Sequence, residues 1–500
     1  MFPTTNVLEY LERSAAAHPE KIAAADNLLS CTYEELLRDA RRIGSGLCTR
    51  FSPRMPVAVF MEKSVETLKL FFGAVYAGCF YVLINPEFPA PRVEAILETL
   101  ETRRVVTCRS LAEKLPPVEG LEVLYLEDLM ETEENGDALA AIRAQALDID
   151  PLYANFTSGS TGVPKGVAVC HRSVIDFIGH FTQLFSITGE DVIGNQAPFD
   201  FDVSVKDIYS AISTGARLEI IPKALFSQPA KLLDHLCDRK VTTMVWAVSA
   251  LCLVTTFHGL DYKVPETVNK VLFSGEAMPM KHLKQWMSHL PEAKFVNLYG
   301  PTEITCNCTY HEVDRNRDYA DGLPIGRSFP NEQVFLLDEE DRLITEEGKQ
   351  GEICVMGTAL ALGYYNNPAQ TESRFVRSPL SKAFPQWMYR TGDLGWYNQQ
   401  GELCFAGRKD FQIKYMGHRI ELEEIERAID GVDGVERACC VFDEKRGRLT
   451  AYYVGDIEGR EIRHALSGTL PVFMLPGTYV KLAEMPLNKN GKIDRKQLGR

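Results

Sequence analysis

Apolar positions recur along this chain in two spacings. Leu283, Trp286, Met287 and Leu290 stand three or four residues apart, which lays them on one helical face, whereas Val241-Thr-Thr-Met-Val-Trp246 is short and β-branched, as a strand is. Helical stretches of the first kind alternate with strand-like runs of the second through most of residues 1–409. That alternation predicts a layered α/β architecture. The run Leu70 to Ile84 is apolar almost throughout but carries Gly73 and Gly78. It is too short and too broken for a membrane span and predicts a buried helix followed by a strand. The acidic stretch Glu131-Thr-Glu-Glu-Asn-Gly-Asp137 predicts a solvated loop.

The texture changes after Gly407-Arg-Lys-Asp410. An amphipathic helix is expected over Ile420 to Ile429, a strand over Leu449 to Val454 and a second helix over Glu461 to Leu470, enough for a small α+β unit with its own core. A chain of 500 residues also exceeds the length over which one core keeps growing, so more than one domain is expected. The expected division is a large, multi-subdomain N-terminal α/β domain over residues 1–409 and a small mobile C-terminal α+β domain over residues 410–500, hinged near Asp410.

Composition narrows the partners. With 54 basic against 68 acidic residues the net charge is −14, which argues against nucleic acid or an anionic membrane as the main partner. It leaves ATP open, since ATP needs only local positive charge. The first residues lack the basic and apolar regions of a secretory signal. Thirteen cysteines without Cys-x-x-Cys spacing argue against a metal site and a disulfide framework, so a reducing, cytoplasmic setting is expected.

The chemistry concentrates first in residues 155–166, Asn-Phe-Thr-Ser-Gly-Ser-Thr-Gly-Val-Pro-Lys-Gly. Glycines let backbone N–H groups turn inward, hydroxyls add donors and Lys165 adds a positive charge, so the run is suited to wrapping a phosphate. Its spacing is not that of a P-loop, because Pro164 precedes Lys165 and Gly166 follows it. Further segments share the glycine, acid and hydroxyl texture: Pro198-Phe-Asp-Phe-Asp-Val-Ser204, Asn297-Leu-Tyr-Gly-Pro-Thr-Glu303, Gly351-Glu-Ile-Cys-Val-Met-Gly357, Tyr389-Arg-Thr-Gly-Asp-Leu394, Gly407-Arg-Lys-Asp410 and Asn490-Gly-Lys-Ile-Asp-Arg495. In this order, from about Leu8 to Arg500, they resemble the adenylate-forming superfamily of acyl-CoA synthetases, luciferases and nonribosomal peptide adenylation domains.

That resemblance implies an enzyme using ATP and Mg²⁺. Thr157, Ser158, Gly159, Ser160, Thr161, Gly162 and Lys165 would hold the β- and γ-phosphates, Thr302 would touch the α-phosphate and Glu303 would be the metal ligand. Asp393 would accept from the ribose diol, Arg408 would contact the ribose, Tyr299 would stack on adenine and Asn297 would read its edge. Lys492 would swing in to bridge the substrate carboxylate and the α-phosphate, and the small domain would then rotate about Asp410 so that a thiol can attack. A non-catalytic nucleotide-binding regulator on the same fold would be expected to lack Lys165, Glu303, Asp393 or Lys492, and all four are present.

Asp202 matches the aspartate that pairs with the substrate ammonium in amino-acid-activating members, so an amino acid is implied. The alternative at this position is a helix-capping aspartate. By the same likeness the substrate pocket would be lined by Asp202, Val203, Lys206, Val245, Leu272, Ser274, Leu298, Cys306 and Asn307. Phe201-Asp-Val-Ser-Val-Lys-Asp-Ile-Tyr209, Phe273-Ser-Gly-Glu-Ala277 and Phe411-Gln-Ile-Lys414 resemble the stand-alone D-alanyl carrier protein ligases, which makes D-alanine the leading substrate. Ser274 stands where those ligases have cysteine, and Lys206 where they have an apolar residue. Lys206 could pair with a second carboxylate or snorkel to solvent, and snorkelling is the expectation because a lone buried ammonium is costly. The rival is a free-standing peptide-synthetase adenylation enzyme for an L-amino acid, acidic if Lys206 finds a carboxylate. With no carrier segment after Lys496-Gln-Leu-Gly-Arg500, the expected acceptor is the phosphopantetheine arm of a separate carrier protein.

Overall fold

The structure is a computed structural model that describes residues 3–159, 163–320, 322–415, 418–443, 446–486 and 493–498. Among the described residues, three sheets build a large lobe and a smaller one follows. In the first, seven-stranded sheet, Phe80–Ile84 lies parallel between Pro56–Phe60 and Pro151–Thr157. A strand covered on both faces has no polar side to alternate, which explains its unbroken apolar sequence. Helix Val65–Tyr76 precedes it, started by Ser64, whose side chain accepts from the Thr67 N–H. The helix and strand expected from Leu70 to Ile84 are thus both present.

The second sheet has nine strands, and its parallel centre includes Val192–Asn195, Thr243–Ala247, Lys270–Ser274 and Lys294–Tyr299. Its register sets Val245 beside Leu272 and Ser274 beside Leu298. Helix Met280–His289 buries Leu283 and Trp286, as its periodicity predicts. Helix Val203–Thr214 is packed in one apolar core with Tyr81 and Tyr153 of the first sheet and Val245 and Leu272 of the second. The Tyr81 and Tyr209 hydroxyls meet at 3.0 Å inside that core. A third, antiparallel sheet carries the long strand Trp387–Tyr397, whose partner Leu403–Arg408 places Arg408 opposite Asp393.

The small lobe begins with the hairpin Gln412–Tyr415 and His418–Glu421, continues into helix Leu422–Asp430, and adds a three-stranded sheet and helix Gly459–Ser467. Ile420, Ile425, Ile429, Ala451, Tyr453 and Ile462 form its separate core. The helix expected from Ile420 starts two residues late because Ile420 and Glu421 pair with Ile413 and Gln412 in the hairpin. Likewise the acidic loop stops at Asn135, whose side chain accepts from the Ala138 N–H and starts helix Gly136–Arg143. All thirteen cysteines are unbridged. Among the described residues no helix is long and apolar enough to cross a membrane.

Candidate active site

Strand Pro151–Thr157 delivers Thr157, Ser158 and Gly159, and the returning strand opens on Lys165 directly opposite Thr157. Ser160, Thr161 and Gly162 lie outside the described residues. A Cβ on Gly159 would sit 2.0 Å from the Val163 carbonyl oxygen, so this turn admits only glycine. The Thr157 hydroxyl is buried and has no partner among the described residues. An orphaned donor at the mouth of a glycine turn fits a phosphate oxygen. Lys165 is buried with its Nζ 5.4 Å from the Tyr364 ring centre and 3.6 Å from Glu421 Oε1. Burial, and then the nearby Arg419 charge, depress its pKa.

Strand Lys294–Tyr299 ends in Gly300-Pro301 and a single turn of 3₁₀ helix, Thr302–Ile304. Here Gly300 is needed for close approach, since a Cβ would stand 2.5 Å from the Asn307 Cα. The turn buries Thr302 and seals Glu303 completely. Glu303 Oε1 accepts from the Tyr364 hydroxyl at 2.8 Å and Oε2 from Arg419 Nη1 at 2.7 Å. Burial by itself would raise this carboxyl, but Arg419 and Lys165 outweigh it and hold the pKa at about 2. Glu303 is therefore held toward its charged form. Among the described residues no three His, Cys, Asp or Glu side chains are grouped to hold a metal. The Glu303 carboxylate is nonetheless a hard oxygen donor of the kind that suits Mg²⁺, which takes few protein ligands.

Asp393 is buried between two donors. Tyr299 OH reaches its Oδ2 at 2.5 Å and Arg408 Nη1 its Oδ1 at 2.5 Å. Arg408 also gives Nε and Nη2 to Asp410 at 2.6 and 2.8 Å, so it clamps the two aspartates across the start of the small lobe. These bonds and the two carboxylates raise its pKa against the opposing effect of burial. Asn297 Nδ2 donates to the Pro324 carbonyl at 2.8 Å. Lys414, from the hairpin, is half-buried with its Nζ 5.8 Å from the Tyr299 ring centre.

The expected pocket residues come together and all are buried: Asp202, Val203 and Lys206 at the start of helix Val203–Thr214, Val245, Leu272, Ser274 and Leu298 on three neighbouring strands, and Cys306 and Asn307 just beyond Glu303. Asp202 stands at the N-cap position, yet its side chain makes no capping bond. Its pKa is raised by burial and pulled back by Lys206 and the Thr302 hydroxyl. The Cys306 thiol donates to the Asp202 carbonyl at 3.1 Å, tying the turn after Glu303 to the helix start.

Lys206 corrects an expectation. It does not snorkel; it is 0% exposed, and its Nζ donates to Asn307 Oδ1 at 2.6 Å. The amide supplies the acceptor that makes burial tolerable, and burial lowers the pKa while Cys306, Asp202 and Asp207 oppose the shift. Lys492 lies outside the described residues.

Sequence reasoning missed Arg419, Glu421, Glu424 and Tyr364 as members of the site. Glu421 and Glu424 read as the polar face of an amphipathic helix, and the signal that could have found them was that they flank apolar Leu422 and Ile425 on a segment joined to a proposed hinge.

The chain belongs to the AMP-binding enzyme family, whose model matches residues 11–365. Within it the likeness is to adenylation domains of the nonribosomal peptide synthetase type. Zwittermicin A synthase ZmaJ from Bacillus cereus is 30% identical over 508 residues, covering 99% of this chain and 95% of that protein. Other curated relatives are much longer than the part this chain matches. Tyrocidine synthase 1 from Brevibacillus parabrevis is 31% identical over 504 residues, and the match spans 99% of this chain but only 45% of that protein. The solved structure of holo-PA1221, a nonribosomal peptide synthetase protein containing adenylation and PCP domains bound to a vinylsulfonamide inhibitor, superposes with a TM-score of 0.85 at 25% identity, covering 99% of this chain and 84% of that one.

Proposed function

We propose that this chain is an ATP-dependent amino acid–carrier protein ligase. In the first half-reaction an amino-acid carboxylate oxygen attacks the α-phosphorus of ATP, the bond from that phosphorus to the bridging oxygen breaks, and pyrophosphate leaves. Thr157, Ser158, Gly159 and Lys165, with Ser160, Thr161 and Gly162, hold the leaving phosphates; Thr302 holds the α-phosphate. Asp393 accepts from the ribose hydroxyls, Tyr299 and Asn297 face adenine, and Lys492 bridges the two reacting anions. Mg²⁺, when bound by Glu303, neutralises phosphate charge. In the second half-reaction the small lobe turns about Asp410 and the phosphopantetheine thiol of a separate carrier protein attacks the acyl carbon. A C–S bond forms, the C–O bond to AMP breaks and AMP departs.

What supports this reading is that Lys165, Glu303 and Asp393, from segments far apart in sequence, are all buried, and that Arg419 and Lys165 hold the Glu303 carboxyl toward its charged form against the opposing effect of burial. D-alanine is the proposed acid. Its support is the likeness of Phe201-Asp-Val-Ser-Val-Lys-Asp-Ile-Tyr209, Phe273-Ser-Gly-Glu-Ala277 and Phe411-Gln-Ile-Lys414 to the D-alanyl carrier protein ligases. A second reading has its own support: the Lys206 ammonium makes its hydrogen bond to an amide, so an acidic side chain entering the pocket would meet a cation free to turn to it. Pyrophosphate exchange over a panel of D- and L-amino acids separates the two. Exchange with D-alanine alone supports the first; exchange with glutamate or aspartate and none with D-alanine replaces it by the second.

A further inference from the structure

Lys63 lies in the connection between strand Pro56–Phe60 and helix Val65–Tyr76, and its backbone is held from both sides. The Ser64 side chain accepts from the Thr67 N–H, and the Thr67 hydroxyl donates to the Glu62 carbonyl at 2.5 Å. From there the half-buried lysine reaches across from the first sheet to the second. Its Nζ lies 3.3 Å from the Asn195 carbonyl, 2.8 Å from that of Gln196 and 3.4 Å from that of Ala197, and 3.1 Å from Asn195 Oδ1. Four acceptors share the N–H groups of one ammonium.

Those acceptors form a single segment. Strand Val192–Asn195 ends there, so the carbonyls that follow leave the sheet ladder and need a donor from elsewhere. Just past Ala197 the same segment turns, the Phe201 N–H donating to the Pro198 carbonyl at 3.2 Å, and delivers Asp202. A second tie runs to the helix beyond. Asn195, fully buried, donates from Nδ2 to Asp207 Oδ2 at 2.8 Å, and Asp207 follows Lys206 on helix Val203–Thr214. Burial lifts the Asp207 carboxyl to about 7, with Asn195, Lys206 and Lys63 pulling it back. Lys63 thus grips the loop that leads into Asp202 and, through Asn195, the helix that leads out of it.

Asp202 makes no capping bond of its own, so its placement is set by what flanks it. A carboxylate that must meet a buried cation needs its backbone held to within a fraction of an ångström, and a compact ammonium binding consecutive carbonyls fixes the peptide units that carry them. We infer that Lys63 is a positioning residue for Asp202, holding the loop before it and the helix after it so that its carboxylate meets the substrate ammonium. The inference rests on the reading of Asp202 as the partner of that ammonium.

Its test is pyrophosphate-exchange kinetics on the full chain with Lys63→Met, which keeps the length and removes the charge, crossed with Asp202→Asn. Lys63→Met should raise the amino-acid KM about tenfold, the size of one lost charge-assisted hydrogen bond, with the KM of ATP unchanged. Lys63→Arg, which keeps the charge, should recover part of the loss. In the Asp202→Asn background Lys63→Met should move the amino-acid KM by less than about twofold, because the group it positions is gone. An equal rise in both backgrounds, or an equal rise in the KM of ATP, overturns the inference and leaves Lys63 a purely structural lysine. Should Lys63→Met fail to fold, Lys63→Gln is measured in its place, and failure of both to fold overturns the inference in the same way. Asp202→Asn raising the amino-acid KM while Lys63→Met leaves it unchanged overturns the inference alone. Asp202→Asn without effect on that KM overturns the reading of Asp202 and the inference with it.

Discussion

Asp202→Asn is the sharpest probe of substrate choice. The substitution keeps the shape and removes the charge, and the Cys306 thiol, which binds the Asp202 backbone carbonyl, still anchors the helix start. Asp202 is buried and its carboxyl is pushed upward by that burial, so it gains much from a cation that enters the pocket. Lys206 and Thr302 only partly offset the burial. Removing one partner of a buried charge pair costs on the order of 2–5 kcal/mol. Taking about 3 kcal/mol, kcat/KM for the amino acid should fall roughly hundredfold. The loss should appear in the KM of the amino acid in pyrophosphate exchange, while the KM of ATP stays unchanged, because Lys165, Glu303 and Asp393 are untouched. An amino-acid KM within about threefold of wild type, well short of one buried charge pair, would refute the pairing and return Asp202 to a structural role.

Three other outcomes are expected. Lys492→Ala should abolish adenylation while sparing ATP affinity measured by calorimetry; retained exchange activity sinks its assigned role. Asp393→Asn should weaken ATP binding about tenfold or more, since one charge-assisted bond to the ribose diol contributes about 1.5–3 kcal/mol, with amino-acid binding spared; equal ATP affinity argues against a ribose contact. His171, whose Nδ1 accepts from the Val7 N–H at 3.3 Å, is pushed from an ordinary 6.5 down to about 3 by burial, with Arg143 adding to it. A depressed folded pKa gives stability that is whole above about 6.5 and is lost as pH falls toward 3. The loss by pH 5 should be about 2 kcal/mol, and urea unfolding of His171→Gln should show a flatter slope between pH 7 and 5.

Legibility in the sequence followed the range of the interaction that fixes each feature. The helix–strand unit from Leu70 to Ile84 was readable because local apolar pattern and the Ser64 cap determine it. The pocket residues could be named by likeness, and their common burial follows from strand register, but the fate of Lys206 could not be read. Whether a lysine snorkels or turns inward depends on an acceptor, and that acceptor, Asn307, is supplied 101 residues away. The same limit hides what meets Ser158 and Gly159. Glu421 and Glu424 satisfy the polar half of an amphipathic pattern whether or not anything meets them, and only the fold brings Gly159, 265 residues before Glu424, to its carboxylate. One-dimensional pattern reports which face of a helix is polar; it carries no term for which cation or N–H that face will meet. A loop of glycines, hydroxyls and a lysine is therefore legible as a set of donors, while the groups of the small lobe that meet it become visible only in the fold.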